Sequence, residues 1–71
     1  MREFEKKDIE RCIIALLWAG PVLQKDIVAA LPAKLYLVVG KVIRDMDARG
    51  LIRREKHKHT NIVALTEYGR N

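Results

Sequence analysis

An α+β fold, three helices followed by a small antiparallel β-hairpin, is predicted for these 71 residues by three observations. Apolar residues recur at helical spacing in three stretches, from Ile9 to Leu17, from Ile27 to Leu31 and from Leu35 to Met46. Gly20-Pro21, Pro32 and Gly50 punctuate the ends of those stretches. Beyond Gly50 the pattern changes: Leu51-Ile52 opens an extended run, and Ile62-Val63-Ala64-Leu65 supplies a β-prone return strand.

The first helix is expected from about Asp8, or earlier, to Trp18 or Ala19. At 100° per residue, Ile9, Ile13, Leu16 and Leu17 share the face that should enter the core. Pro21-Val22-Leu23 is a short extended stretch able to pair with the hairpin. The second helix should cover about Gln24 to Leu31, with Ile27 and Leu31 inward and Asp26 in the first turn, where the helix dipole favours an acid. Pro32 breaks it. The third helix should run from about Leu35 to Arg49, and Gly50 suits the left-handed residue that terminates such a helix. The hairpin tip is placed at Lys56-His57-Lys58-His59-Thr60-Asn61, with Asn61 as a turn-tolerant residue.

Length and composition narrow the function classes. One domain is expected, with a core that stays marginal because a chain this short buries only about 60% of its unfolded surface. A lone cysteine, Cys12, makes no disulfide framework and fits a reducing cytoplasm. The longest apolar run, Cys12 to Ala19, is far shorter than the roughly 20 residues a bilayer needs, so no membrane association is expected. Catalysis lacks its parts: the chain has no serine and no glycine-rich phosphate loop, and Asp45 and Asp47, two apart on a helix, do not face each other. His57 and His59 alone do not make a closed metal site, and no cofactor or small-molecule effector is implied.

Charge is informative through its placement. Residues 1–31 balance five basic against five acidic groups, whereas residues 32–71 carry nine basic against four acidic and hold the whole net charge of +5. A positive field confined to the third helix and hairpin is the footprint of a nucleic-acid face; the bland alternative is a solvated basic surface. On the third helix, Leu35, Val39, Val42, Ile43 and Met46 cluster as core, while Lys34, Leu37, Gly40, Lys41, Arg44 and Ala48 lie opposite. Lys41 and Arg44 supply donors for bases and phosphates, and arginine grips guanine O6 and N7 with two bonds. An exposed mid-helix Gly40 costs about 1 kcal/mol relative to alanine, so either something approaches closely there or the position is simply tolerant. In the hairpin, Arg53, Arg54, Lys56 and Lys58 join His57 and His59, suited to lie along phosphates or to enter a minor groove. Arg53 and Arg54 sit at its base, where one of them is free to pack on the protein instead.

Ile43 to Arg70 resembles the winged helix-turn-helix of the MarR and ArsR families of prokaryotic repressors. Those families close the recognition helix with L-x-x-L-x-x-x-G-L-I-x-R and the wing with L-T-x-x-G-R. The matching residues are Ile43, Met46, Gly50, Leu51, Ile52 and Arg54, then Leu65, Thr66, Gly69 and Arg70. Ile13-Ile14-Ala15-Leu16-Leu17 with Gly20-Pro21 is similar to their first helix and turn, and Gln24 to Leu31 to their second helix. The resemblance implies a small cytoplasmic regulator, a repressor by analogy, that binds double-stranded DNA through Lys34, Tyr36, Leu37, Gly40, Lys41 and Arg44 on the third helix. Arg54, Lys56, His57, Lys58 and His59 would serve the wing. One departure stands out. The families usually carry polar residues in the first turn of the recognition helix, and here the residues are Tyr36, Leu37, Val38, Val39 and Gly40. Leu37 suits a thymine methyl group and Tyr36 a phosphate; alternatively, this apolar end meets another protein in a larger assembly.

A second apolar stripe, Phe4, Arg11, Ile14, Ala15 and Trp18, lies opposite the core face of the first helix. It points to a partner, with a symmetric homodimer as the expected one. Its alternative is intramolecular, with Tyr68 or the N-terminal arm folded over Trp18. RNA recognition is the weakest reading, because Phe4, Trp18, Tyr36 and Tyr68 are not spaced as a stacking platform.

Overall fold

Three antiparallel strands and four α-helices form one small α+β domain in the computed structural model, which describes residues 6–70. The chain order is α1 (Lys6–Leu17), β1 (Val22–Leu23), α2 (Gln24–Ala30), a 3-10 turn (Ala33–Leu35), α3 (Tyr36–Ala48), β2 (Ile52–His57), β3 (Thr60–Leu65) and α4 (Glu67–Arg70). The sheet order is β1-β3-β2, so the second-to-last element in the chain is the central strand. Val22 and Leu23 pair with Val63 and Ile62, which makes the short extended stretch after Gly20-Pro21 a true edge strand.

The helices bury one face each. Ile9, Ile13 and Leu17 of α1, Ile27 of α2, and Val39, Val42, Ile43 and Met46 of α3 meet Ile52 and Val63 from the sheet. Leu16 departs from expectation: it is 37% exposed. Ile9, Ile13 and Leu17 drift by about 40° per four residues, so their mean direction lies about 60° from Leu16, which falls at the margin of the buried face. Ile14 departs in the other direction. It is half-buried and packs against the core, and so it leaves the outward stripe to Arg11, Ala15 and Trp18. Phe4 lies outside the described residues.

The end of α3 is a complete Schellman motif. Gly50, with φ of 80°, donates its N–H to the Asp47 carbonyl at 3.0 Å, and Leu51 N–H reaches back to the Met46 carbonyl at 2.9 Å. The chain therefore turns sharply from α3 into β2. Arg49, one residue earlier, joins α3 to α1 through Glu10 at 2.6 Å and also pairs with Asp45 at 2.9 Å. The hydrogen bond to Glu10 raises the arginine above its ordinary pKa. Because the shift is upward in a cation, its contribution holds across the ordinary pH range and is lost only in strong alkali.

The hairpin is tighter than its sequence suggests. His57 pairs with Thr60 and Lys56 with Asn61, so Lys56 and Asn61 belong to the ladder and the turn is Lys58-His59 alone. Strand pairing continues because β-prone Thr60 and Ile62 extend β3 outward. The Asn61 side-chain amide donates to Gln24 Oε1 at 3.2 Å, tying the hairpin to the start of α2. Lys58 carries φ of 54°, a left-handed conformation unusual for a lysine.

The exit strand is followed by α4, a helix the sequence pattern hides. Thr66 caps it: its Oγ1 accepts the Gly69 N–H at 3.0 Å while the same hydroxyl donates to the backbone carbonyls of Gly50 and Leu51. A side chain at Gly69 would place its Cβ 2.0 Å from the Leu51 carbonyl oxygen, so only glycine fits. Thr66 and Gly69 thus dock α4 on the turn that ends α3. Arg70 then reaches α1, donating to the Trp18 carbonyl at 3.3 Å and lying 5.1 Å from the centre of the Trp18 ring.

Candidate nucleic-acid interface

Because α3 buries Val39, Val42, Ile43 and Met46, its opposite face must turn outward. Leu37, Gly40, Lys41, Arg44 and Ala48 follow one another at i, i+3, i+4, i+7 and i+11, forming a single stripe along the helix. Leu37 is 74% exposed and Tyr36 is 63% exposed; Lys34, Lys41 and Arg44 are also exposed. Leu35 and Val38 pack against the core from either side of Leu37 and hold the first turn in this rotation. Gly40 has open space where a Cβ would stand: nothing lies within 4 Å. Intramolecular packing does not demand glycine there.

Alternation along β2 divides the hairpin's charged residues between two faces. Ile52, Arg54 and Lys56 share the face that meets α3, whereas Arg53, Glu55 and His57 share the outer face. Arg54 is held by Asp47 of α3, Nε to Oδ2, at 3.0 Å and is half-buried. Its first role is therefore to lock the hairpin against α3. Lys56 stands two residues farther out on that face, exposed. His57 turns away from α3 into a shallow cleft shared with Leu23, Lys25, Lys58, His59 and Thr60. Lys25 joins this cationic group although nothing in the sequence marks it. Only the pairing of β1 with β3 and the Asn61–Gln24 bond bring the start of α2 beneath the hairpin.

The ion pairs sort the charges. Among the described residues, Asp45 and Glu10 bind Arg49, Asp47 binds Arg54, and Arg70 lies over Trp18. Lys34, Lys41, Arg44, Arg53, Lys56 and Lys58 make no ion pair with any described residue. Two of the four acids in residues 32–71, Asp45 and Asp47, are thus spent on arginines that hold elements together. The remaining cations face outward on α3 and the hairpin. No cluster of three or more His, Cys, Asp or Glu side chains suited to a metal occurs among the described residues. No helix among them is long and apolar enough to cross a membrane.

Of the outward stripe on α1, Arg11, Ala15 and Trp18 are exposed, Trp18 to 54%. Arg70, not Tyr68, lies over the indole, and Tyr68 itself is 66% exposed.

Comparison with family models, curated proteins and solved structures finds no match to this chain.

Proposed function

We propose that this domain is a winged helix-turn-helix that binds double-stranded DNA and acts as a small transcription regulator, a repressor by analogy with the families it resembles. In this reading α2 and α3 form the helix-turn-helix, α3 enters the major groove, and the β2–β3 hairpin is the wing. The observation that carries the reading is the sorting of charge: six cations on α3, its leading turn and the hairpin have no carboxylate partner among the described residues, while the two acids of α3, Asp45 and Asp47, are committed to Arg49 and Arg54. Lys41 and Arg44 serve bases and phosphates, Tyr36 and Lys34 the flanking backbone, and Lys56, Lys58, His57 and His59 the wing's phosphates. Arg54 acts from behind by fixing the wing's angle to α3. A homodimer through Trp18 and its exposed neighbours would double these contacts and set the half-site spacing.

Fluorescence anisotropy of a mixed-sequence duplex, titrated at several salt concentrations, tests this directly. Four or more phosphate contacts per bound unit give log K a slope of about −3.6 or steeper against log salt. Absence of binding near 50 mM salt refutes it.

The exposed Tyr36 and Leu37 favour a second reading, a winged helix that serves as a protein-interaction module in a larger assembly. A duplex affinity that is absent while α3 variants change self-association or partner capture would select it.

A further inference from the structure

We infer that α3 reads a methyl group on the floor of the major groove, with Leu37 against the C5 methyl of a thymine and Arg44 on a guanine about three base pairs away. This rests on the DNA-binding reading and specifies the class of sequence that the same site takes.

Leu37 is the most exposed large apolar side chain described, and it stands at the head of the outward stripe. Its direction is fixed. Leu35 and Val38, packed on the core, flank it, and a rotation that buried Leu37 would expose them. No hydrogen-bonding side chain replaces it at that point of the stripe, so a groove floor meeting it must offer an apolar group. In the major groove that group is the thymine methyl. The surroundings favour a duplex over a protein. Lys34, Lys41 and Arg44 frame Leu37, and no acid shares the stripe. Protein interfaces deplete charge at their centres and bury about 800 Å² per partner, whereas a groove sets apolar methyls between rows of phosphates. Gly40, one turn after Leu37, has no Cβ and open space in front of it, which lets the groove floor approach the backbone.

The spacing follows from helix geometry. Seven residues from Leu37 to Arg44 span about 10.5 Å at 1.5 Å per residue. That equals about three base steps of 3.4 Å. Arginine is the side chain that takes guanine O6 and N7 together. The preferred half-site therefore contains a thymine and a guanine about three positions apart, the thymine methyl at the end nearer Tyr36.

The test uses duplexes enriched by the protein from a randomised library, then resynthesised with deoxyuridine in place of thymidine. This exchange removes only the methyl groups and leaves pairing and phosphates intact. Wild type should lose about fourfold in affinity per contacted methyl, the ~0.8 kcal/mol of one buried methyl-sized group converted at 1.4 kcal/mol per decade. Leu37→Ala should bind both duplexes alike, Leu37→Met should keep the preference, and 5-methylcytosine placed at the thymine's position should restore part of the loss. Both variants should melt as wild type, because the side chain is exposed. Equal binding of thymine and uracil duplexes by wild type overturns the inference and leaves DNA binding standing. A preference that survives Leu37→Ala overturns the assignment to Leu37. Failure to enrich or bind any duplex overturns this inference together with the DNA-binding reading.

Discussion

Gly40→Ala separates stability from function on one atom. Gly40 sits inside α3, five residues into a helix of 13, where glycine is about 1 kcal/mol less favourable than alanine. Such a gain is realised only if the new methyl group meets no obstacle. Nothing lies within 4 Å of the position a Cβ would take, so neither overpacking nor a new contact enters. The expected result is a stabilisation of about 0.5–1 kcal/mol, drawn from the unfolded state's loss of freedom. For a domain of this size that corresponds to a rise in Tm of roughly 2–8 °C. Circular dichroism melts and urea titrations of wild type and variant measure it. The same methyl group stands on the stripe proposed to meet the groove floor, so duplex affinity should fall while stability rises. A destabilised Gly40→Ala would mean that the space is filled in the folded protein, by a second copy or by a rearranged side chain. A stabilised variant with unaltered duplex affinity would show that nothing approaches α3 at this residue.

Gly69→Ala should act in the opposite direction, costing about 2–3 kcal/mol in urea titrations, because its Cβ would fall on the Leu51 backbone carbonyl and push α4 off the end of α3. Lys58→Gly should stabilise the hairpin by about 1 kcal/mol by releasing a side chain from left-handed backbone, read as a higher Tm; no change would indicate that the turn relaxes freely. Lys41→Ala and Lys56→Ala should each lower duplex affinity and reduce the salt slope by about 1. Arg54→Ala should chiefly cost stability, about 0.5–1 kcal/mol, since its partner is Asp47. Trp18→Glu should fold, with the new carboxylate beside Arg70, and should sediment as a monomer if the α1 stripe carries a dimer.

Legibility in the sequence followed the range of the forces involved. The α3 wheel was readable because burial repeats at 3.6 residues: the five residues assigned inward are buried or pack on the core, and the outward group remains exposed or half-buried. Gly50 was equally plain, because a left-handed terminus has a local signature. α4 was not. Four residues containing a glycine have no helical pattern, and the helix exists through Thr66 bonding to the carbonyls of Gly50 and Leu51, some 15 residues earlier in the chain, and through the close approach of Gly69 to the Leu51 backbone. The hairpin's cations were visible as a group but not by face. Which of Arg53 and Arg54 turns inward depends on the register that sets Arg54 opposite Val63. Lys25 could be found only through tertiary pairing. Leu16 and Ile14 were misplaced because a wheel gives angle alone, whereas burial also depends on how far neighbouring elements extend around the helix.

Excess positive charge by itself is weak evidence for any partner, since many solvated surfaces are basic. What distinguishes this chain is where its negative charge goes. Were the basic half an ordinary mixed surface, Asp45, Asp47 and Glu55 would be interspersed with the lysines and reduce the field over α3. Instead Asp45 and Asp47 lie on the flanks of α3 against Arg49 and Arg54, and Glu55 lies on the outer face of β2, away from the stripe. The arginines able to form directed, paired bonds to carboxylates hold α1, α3 and the hairpin together. The lysines left facing outward keep their charge in water, where a phosphate row can displace their counterions. Arg44 and Arg53 are arginines with no ion pair to any described residue, and of the two Arg44 stands in the centre of the outward stripe on α3, where it gives the arrangement its direction.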